Sequence, residues 1–166
     1  GAWTNKGNSL AKLGKDEETI ACYSQAIRLN PKDLGAWTNK GYALNKLERY
    51  EEAIICYNQV IRFNSDDPIA WFSRGNALAS LKKYEEAIAC YDKVLSLDSK
   101  DLRALFNKAN SLANLKKYEE SVECFDEVIK NNPEYPSALR YKGVALKKLG
   151  RDEEAEHCFT KDRELE

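Results

Sequence analysis

At 166 residues the chain is long enough for one ordinary domain, and its 43% hydrophobic and 32% charged residues match a soluble helical protein. No apolar run approaches the roughly 18–20 residues of a membrane span, no segment resembles a signal peptide, and a formal net charge of −1 argues against a general nucleic-acid binder. A start at Gly1 and the absence of Met are expected of a piece excised from a longer protein, and whether Leu165-Glu166 is native or an added tail stays open.

The first predicted helix, Ala2–Leu13, opens on AWTNKG, and the same six residues return at Ala36–Gly41. Variants follow at the same 34-residue step: AWFSRG at Ala70–Gly75, ALFNKA at Ala104–Ala109 and ALRYKG at Ala138–Gly143. A strict period of this length is the signature of a helical solenoid, whose repeats stack to share one core. One elongated domain over 1–166 is expected, with repeats 1–33, 34–67, 68–101, 102–135 and 136–166.

The second repeat shows the unit best. Leu34–Leu47 places Trp37, Gly41, Leu44 and Leu47 on one helical face, and Tyr50–Phe63 does the same with Ala53, Tyr57, Val60 and Ile61. Glu48-Arg49 forms the turn between them, where Gly14 and Gly150 stand in the first and last repeats. Asp33, Asp67 and Asp101 precede first helices and are expected to cap them. Pro68 and Pro136 are expected to begin such helices, while Pro31 and Pro133 stop second helices. Further first helices are predicted at Pro68–Leu81, Leu102–Leu115 and Pro136–Leu149. The last helix, Asp152–Glu164, carries Asp162-Arg163 where Val60-Ile61 stands earlier, as a polar cap requires.

Gly7, Gly41, Gly75 and Gly143 lie within helices at a cost of about 1 kcal/mol each, which implies close helix crossing. Tyr23, Tyr57, Tyr91, Phe125 and Phe159 are expected in the core. The five cysteines, Cys22, Cys56, Cys90, Cys124 and Cys158, share one repeat position. Equivalent sites on successive helices lie about 8–10 Å apart, too far for a disulfide or a shared zinc, so half-buried packing residues in a reducing, cytoplasmic setting are expected. The sole histidine, His157, points away from its neighbour Cys158, and no phosphate loop or metal spacing occurs. Neither catalysis nor a cofactor is expected.

Charge is segregated. The five first helices hold eleven Lys or Arg and no Asp or Glu, leaving all twenty-seven acids elsewhere. Asparagines form rows: Asn5, Asn39 and Asn107 share one repeat position, interrupted by Ser73 and Tyr141, and Asn8, Asn76 and Asn110 share another. Such amides can bind a peptide backbone, since each offers donor and acceptor. Exposed filler, or hydrogen bonding between neighbouring repeats, is the competing explanation of the rows.

Trp37-Gly41-Ala53-Tyr57 and Trp71-Gly75-Ala87-Tyr91, with Pro31 and Pro133 closing repeats, resemble the tetratricopeptide repeat (TPR) family across essentially the whole chain. Lys6, Lys40, Arg74, Lys108 and Lys142 depart from the family's Leu before Gly, and a long stem with its head in water is expected there. Thr19 and Ser121 replace its small alanine. The resemblance implies an all-α fold, a right-handed α-solenoid of five antiparallel helix pairs, with first helices lining a concave groove. Groove positions then fall on Asn5, Asn8, Lys12, Asn39, Tyr42, Lys46, Phe72, Asn76, Arg103, Phe106, Asn107, Asn110, Arg140 and Tyr141. The asparagine rows resemble the ladder of family members that hold extended peptides. The family's carboxylate clamp is poorly matched, by Asn8 and Asn39 alone. The function expected is a protein-interaction scaffold that binds an extended acidic peptide, with Tyr42, Phe72, Phe106 and Tyr141 as anchors and Lys12, Lys46, Arg103 and Arg140 selecting acids. End-to-end self-assembly is the alternative, and single-stranded nucleic acid ranks behind both.

Overall fold

The computed structural model describes residues 1–165. These form ten helices and no strand: α1 (Ala2–Lys12), α2 (Asp16–Leu29), α3 (Leu34–Lys46), α4 (Tyr50–Phe63), α5 (Pro68–Ser80), α6 (Tyr84–Leu97), α7 (Leu102–Asn114), α8 (Tyr118–Asn131), α9 (Ala138–Lys148) and α10 (Asp152–Glu164). Odd-numbered helices are the first helices of their repeats. The leucines expected to close them, such as Leu47 and Leu115, stand one residue beyond as C-caps.

Caps and turns follow from the repeat. Asp33 accepts from Ala36 N at 3.0 Å, Asp67 from Ala70 N at 2.8 Å, and Asp101 from Arg103 N and Ala104 N at 3.0 and 3.1 Å. Pro68 starts α5 as expected. Pro136 does not start α9, which begins only at Ala138 after Ser137 in a left-handed conformation with φ 61°. Tyr135 occupies the place of the capping aspartates, so no side chain caps the first backbone N–H groups, Ala138 N donates to the Tyr135 carbonyl at 3.2 Å instead, and the opening turn unwinds. Every turn inside a repeat also needs one left-handed residue: Gly14, Glu48, Lys82, Lys116 and Gly150 have φ of 71°, 59°, 61°, 62° and 74°.

The chain divides into two compact units, Gly1–Lys82 and Lys83–Glu166. In the first, each helix from α1 to α5 packs on the next, and α1 touches α3 as α3 touches α5. In the second, each helix from α6 to α10 packs on the next, and α7 touches α9. Among the described residues, second helices do not meet one another: α2 and α4 stay apart, as do α6 and α8, and α8 and α10. Each unit therefore bends toward its first helices, which lie on the inner side.

Close crossing within a pair has the cause that the helical glycines imply. A Cβ on Gly41 would lie 2.5 Å from the buried Tyr57 ring, and one on Gly143 equally close to Phe159. Tyr23, Tyr57, Tyr91 and Phe125 are buried and Phe159 half-buried. The cysteines are all free, and burial is tighter than expected: Cys22, Cys56, Cys90 and Cys158 are sealed in, and only Cys124 is half-buried. Burial pushes the Cys56 thiol up to about 11.

Candidate functional site

In the first unit, α1 and α3 stand side by side over α2 and leave a hollow of about 500 Å³ between them. Five of the expected site residues line it: Asn8, Lys12, Asn39, Tyr42 and Lys46. Asp16, Thr19 and Tyr23 of α2 form the floor, with Ala11 and Ala43 between. The small alanines and the inward bend of the unit give this space its depth.

Its polar groups are ordered by Tyr23. Burial raises that phenol above its ordinary value, against a hydrogen bond from Asn39, so it keeps its proton. The hydroxyl donates to Asn8 Oδ1 at 2.7 Å, and Asn39 Nδ2 donates to the same oxygen at 3.2 Å. A hydroxyl donor demands an oxygen opposite it, which fixes the Asn8 amide. The Asn8 Nδ2 hydrogens and the Asn39 Oδ1 lone pairs remain for something else. Tyr42, 45% exposed, rests edge-on against Tyr57 at 6.1 Å and accepts from Ser73. Asn5 lies exposed on α1, and Phe72 and Asn76 are half-buried on α5. None of these three lines the hollow.

The second unit repeats the hollow three repeats on, between α7 and α9 over α8, at about 250 Å³. Asn110 replaces Asn8, Phe125 replaces Tyr23, and Tyr141 replaces Asn39. With no hydroxyl below it, Tyr141 stacks on Phe125 at 6.3 Å and meets Phe106 edge-on at 5.5 Å. Phe106 also packs on Tyr135 at 5.3 Å, so half of this anchor belongs to the protein's own aromatic cluster. Asn107 hydrogen-bonds the Tyr91 hydroxyl on α6. The asparagine row thus has an internal role: Asn39 serves Tyr23, Asn107 serves Tyr91, and Ser73 serves Tyr57, whereas Tyr141 faces a phenylalanine.

The cations are more committed than the segregated sequence suggests. Lys6, Lys40 and Arg74 sit over the rings of Trp3, Trp37 and Trp71 at 5.3, 5.9 and 5.5 Å. Where Leu105 and Leu139 replace tryptophan, Lys108 and Lys142 turn instead to Asp92 and Asp126, each at 2.6 Å. These five heads rest on rings and carboxylates rather than standing free, although Lys6 is still exposed as expected. Arg103 pairs with Asp101 at 2.7 Å and Arg140 with Asp162 at 2.9 Å. Lys46 pairs with Asp16 at 2.9 Å. Among the described residues, Lys12, Lys147 and Lys148 are the first-helix cations left without an ion pair or ring contact.

Sequence reasoning missed Asp16. The signal was a break in a row: Tyr50, Tyr84 and Tyr118 hold its repeat position. It also missed Val144, which is 49% exposed and shares a wall of the second hollow with Tyr141.

The family model described as tetratricopeptide repeat matches residues 1–33, 68–101 and 102–135, another of that description matches 22–55, and one described as TPR repeat matches 41–82. The chain belongs to the tetratricopeptide repeat family. Among curated proteins, none matches the sequence significantly. Solved TPR-like folds do match. MamA from Desulfovibrio magneticus RS-1, from its residue 41 onward, is 21% identical with a TM-score of 0.95, covering 99% of this chain and 93% of that one. A crystal structure of MamA is 17% identical with a TM-score of 0.92, covering 96% of this chain and 93% of that one. YrrB, described as a TPR protein with an unusual peptide-binding site, is 22% identical with a TM-score of 0.85, covering 99% and 84%. At these identities the likeness carries the fold, a solenoid of TPR helix pairs, and nothing finer.

Proposed function

We propose that this TPR protein is a non-enzymatic scaffold that binds an extended, acidic peptide segment along the inner faces of its first helices. One observation carries the reading: Tyr23 and Asn39 both donate to Asn8 Oδ1 and leave a donor on Asn8 beside an acceptor on Asn39. A peptide backbone offers the complementary pair, a carbonyl and an N–H. Exposed Tyr42 and Tyr141 supply apolar anchors, and Lys12, Lys147 and Lys148 supply uncommitted positive charge. The likeness to YrrB, a peptide binder of the same fold, favours this reading over others. Five unpaired cysteines fit a reducing compartment such as the cytoplasm, and no helix among the described residues is long and apolar enough to cross a membrane.

Neutral hydrogen bonds net about 0.5–1.5 kcal/mol each, so asparagines alone hold a peptide weakly. Anchors and charge must bring the total to about −8 kcal/mol for micromolar binding. The test is a peptide selected from a random library on the wild-type protein, followed by fluorescence anisotropy. Replacing Asn39, Asn76 and Asn107 together by Ala should weaken it at least ~tenfold, about 1.4 kcal/mol. Circular dichroism must show that the variant is still folded, because Asn39 and Asn107 also serve tyrosines. A folded triple variant with undiminished affinity rejects backbone reading by these amides.

A further inference from the structure

The two equivalent hollows differ at several positions, and one of those exchanges brings in a negative charge. In the second, the ring of Tyr118 forms part of the lining and the space is about 250 Å³. In the first, Asp16 stands in its place and the space is about 500 Å³. Asn39 and Asp16, in place of Tyr141 and Tyr118, leave the first hollow wider, and the second of these exchanges sets a carboxylate in it. Asp16 has 14% of its side chain exposed, and both of its oxygens lie 2.9 Å from Lys46 Nζ.

The charge lining this hollow is two ammoniums, Lys12 and Lys46, against one carboxylate, Asp16. The Asn8 amide adds donors that no protein group uses. A cationic side chain entering here meets two like charges, and an apolar one leaves three charged groups dehydrated. A carboxylate meets a surplus of positive charge, with a second ammonium already aimed into the space and held there by Asp16. The neighbouring pair Arg49–Glu17, 3.2 Å apart, lies outside the hollow and does not line it.

We infer that this hollow is the subsite for one Asp or Glu side chain of the bound peptide, and that Asp16 is its built-in competitor, occupying Lys46 until the ligand carboxylate shares or replaces that contact. The inference rests on the peptide-binding reading above and specifies where its acid preference resides. Asp16 keeps Lys46 ordered at the mouth of the site, and in doing so it lowers the affinity for the group the site selects.

The test uses a rhodamine-labelled octapeptide of alternating Glu and Ala and its Gln-Ala counterpart, titrated by anisotropy at about 0.15 M salt, where charges beyond ~8 Å are screened. Asp16→Asn should bind the Glu peptide at least ~threefold tighter than wild type, with the Gln peptide unchanged. Asp16→Tyr, the residue of three other repeats, should fill the hollow and weaken the Glu peptide ~tenfold or more. Glu17→Gln, which removes a nearby charge outside the hollow, should stay within ~1.5-fold of wild type. If Asp16→Tyr does not fold by circular dichroism, the Asn and Gln variants decide. An Asp16→Asn variant no tighter than wild type, or a Glu17→Gln variant that matches its gain, overturns the subsite. Should that happen while the triple asparagine variant still weakens the Glu peptide, the groove reading stands without it. Should wild type and Asp16→Asn bind neither peptide, both readings fall.

Discussion

Gly41 is the residue on which the second helix pair closes. Its missing Cβ would sit 2.5 Å from Tyr57 Cε1 and 2.8 Å from Cζ, and the Tyr57 ring is wholly buried. Alanine gains about 1 kcal/mol of helix propensity over glycine, while overpacking a rigid core costs about 1–3 kcal/mol. The clash wins because the Tyr57 hydroxyl also accepts from Asn45 Nδ2 at 3.1 Å, so the ring cannot swing away freely. Gly41→Ala should therefore lower stability by about 1 kcal/mol net, read from the urea midpoint at constant slope. Ala109 faces Phe125 at the equivalent place and is accommodated, with Ser121 Oγ donating to its carbonyl at 2.9 Å. Ala109→Gly should destabilise, because it gives up helix propensity and opens space beside the wholly buried Phe125. An unchanged or higher midpoint for Gly41→Ala would mean that the α3–α4 crossing is looser than its geometry states.

At the scale of elements, the turns inside repeats are a natural experiment on one backbone conformation. Gly14 and Gly150 adopt the left-handed region freely, whereas Glu48, Lys82 and Lys116 adopt it with a Cβ. That conformation costs a side-chain-bearing residue about 1–2 kcal/mol, partly offset by the entropy glycine loses on folding. Lys116→Gly should raise the melting midpoint, gaining about 0.5–1 kcal/mol, and Gly14→Ala should lose a similar amount. Equal melting for Lys116→Gly and wild type would show that the turn is not strained. This requirement was legible in the sequence, because glycine stands at both ends of one repeat column. The Asp caps were legible too, and so was every helix. The late start of α9 was not: Pro136 is a good opening residue, but Tyr135 withholds the carboxylate on which the other first helices rely. The commitment of the cations was hidden for a different reason. Whether Lys108 reaches Asp92 or lies on an aromatic ring depends on Leu105 having replaced tryptophan. That is a relation among three repeat positions that no single motif displays. Asp16 was readable only as a tyrosine missing from its column.

For the molecule as a whole, the fivefold recurrence that builds the core also stacks one kind of liability along it. Burial raises the thiols of Cys56, Cys124 and Cys158 and the phenols of Tyr57 and Tyr91, so all are held neutral in the folded chain. The folded state thus binds these protons more tightly than the unfolded state does. Stability from such groups is fully present below their unfolded values, near 9.0 for the thiols, and is lost as pH rises through the folded values, about 11 for Cys56. For Cys56 alone the loss is on the order of 2 kcal/mol once both titrations are complete. The urea midpoint should hold steady from about pH 7 to 8.5 and fall steeply by about pH 10.5. The pair with Asp92 holds the Lys108 ammonium above its ordinary value, so the stability it adds is lost only above about pH 10.5; the slope below that is compared with that of Cys56→Ala. That variant loses some packing at every pH but no longer titrates at this site, and its midpoint should decline less between about pH 9 and 10.5. Parallel slopes for the two proteins would mean that the thiol ionises as easily folded as unfolded, and that the column of cysteines is not sealed from water.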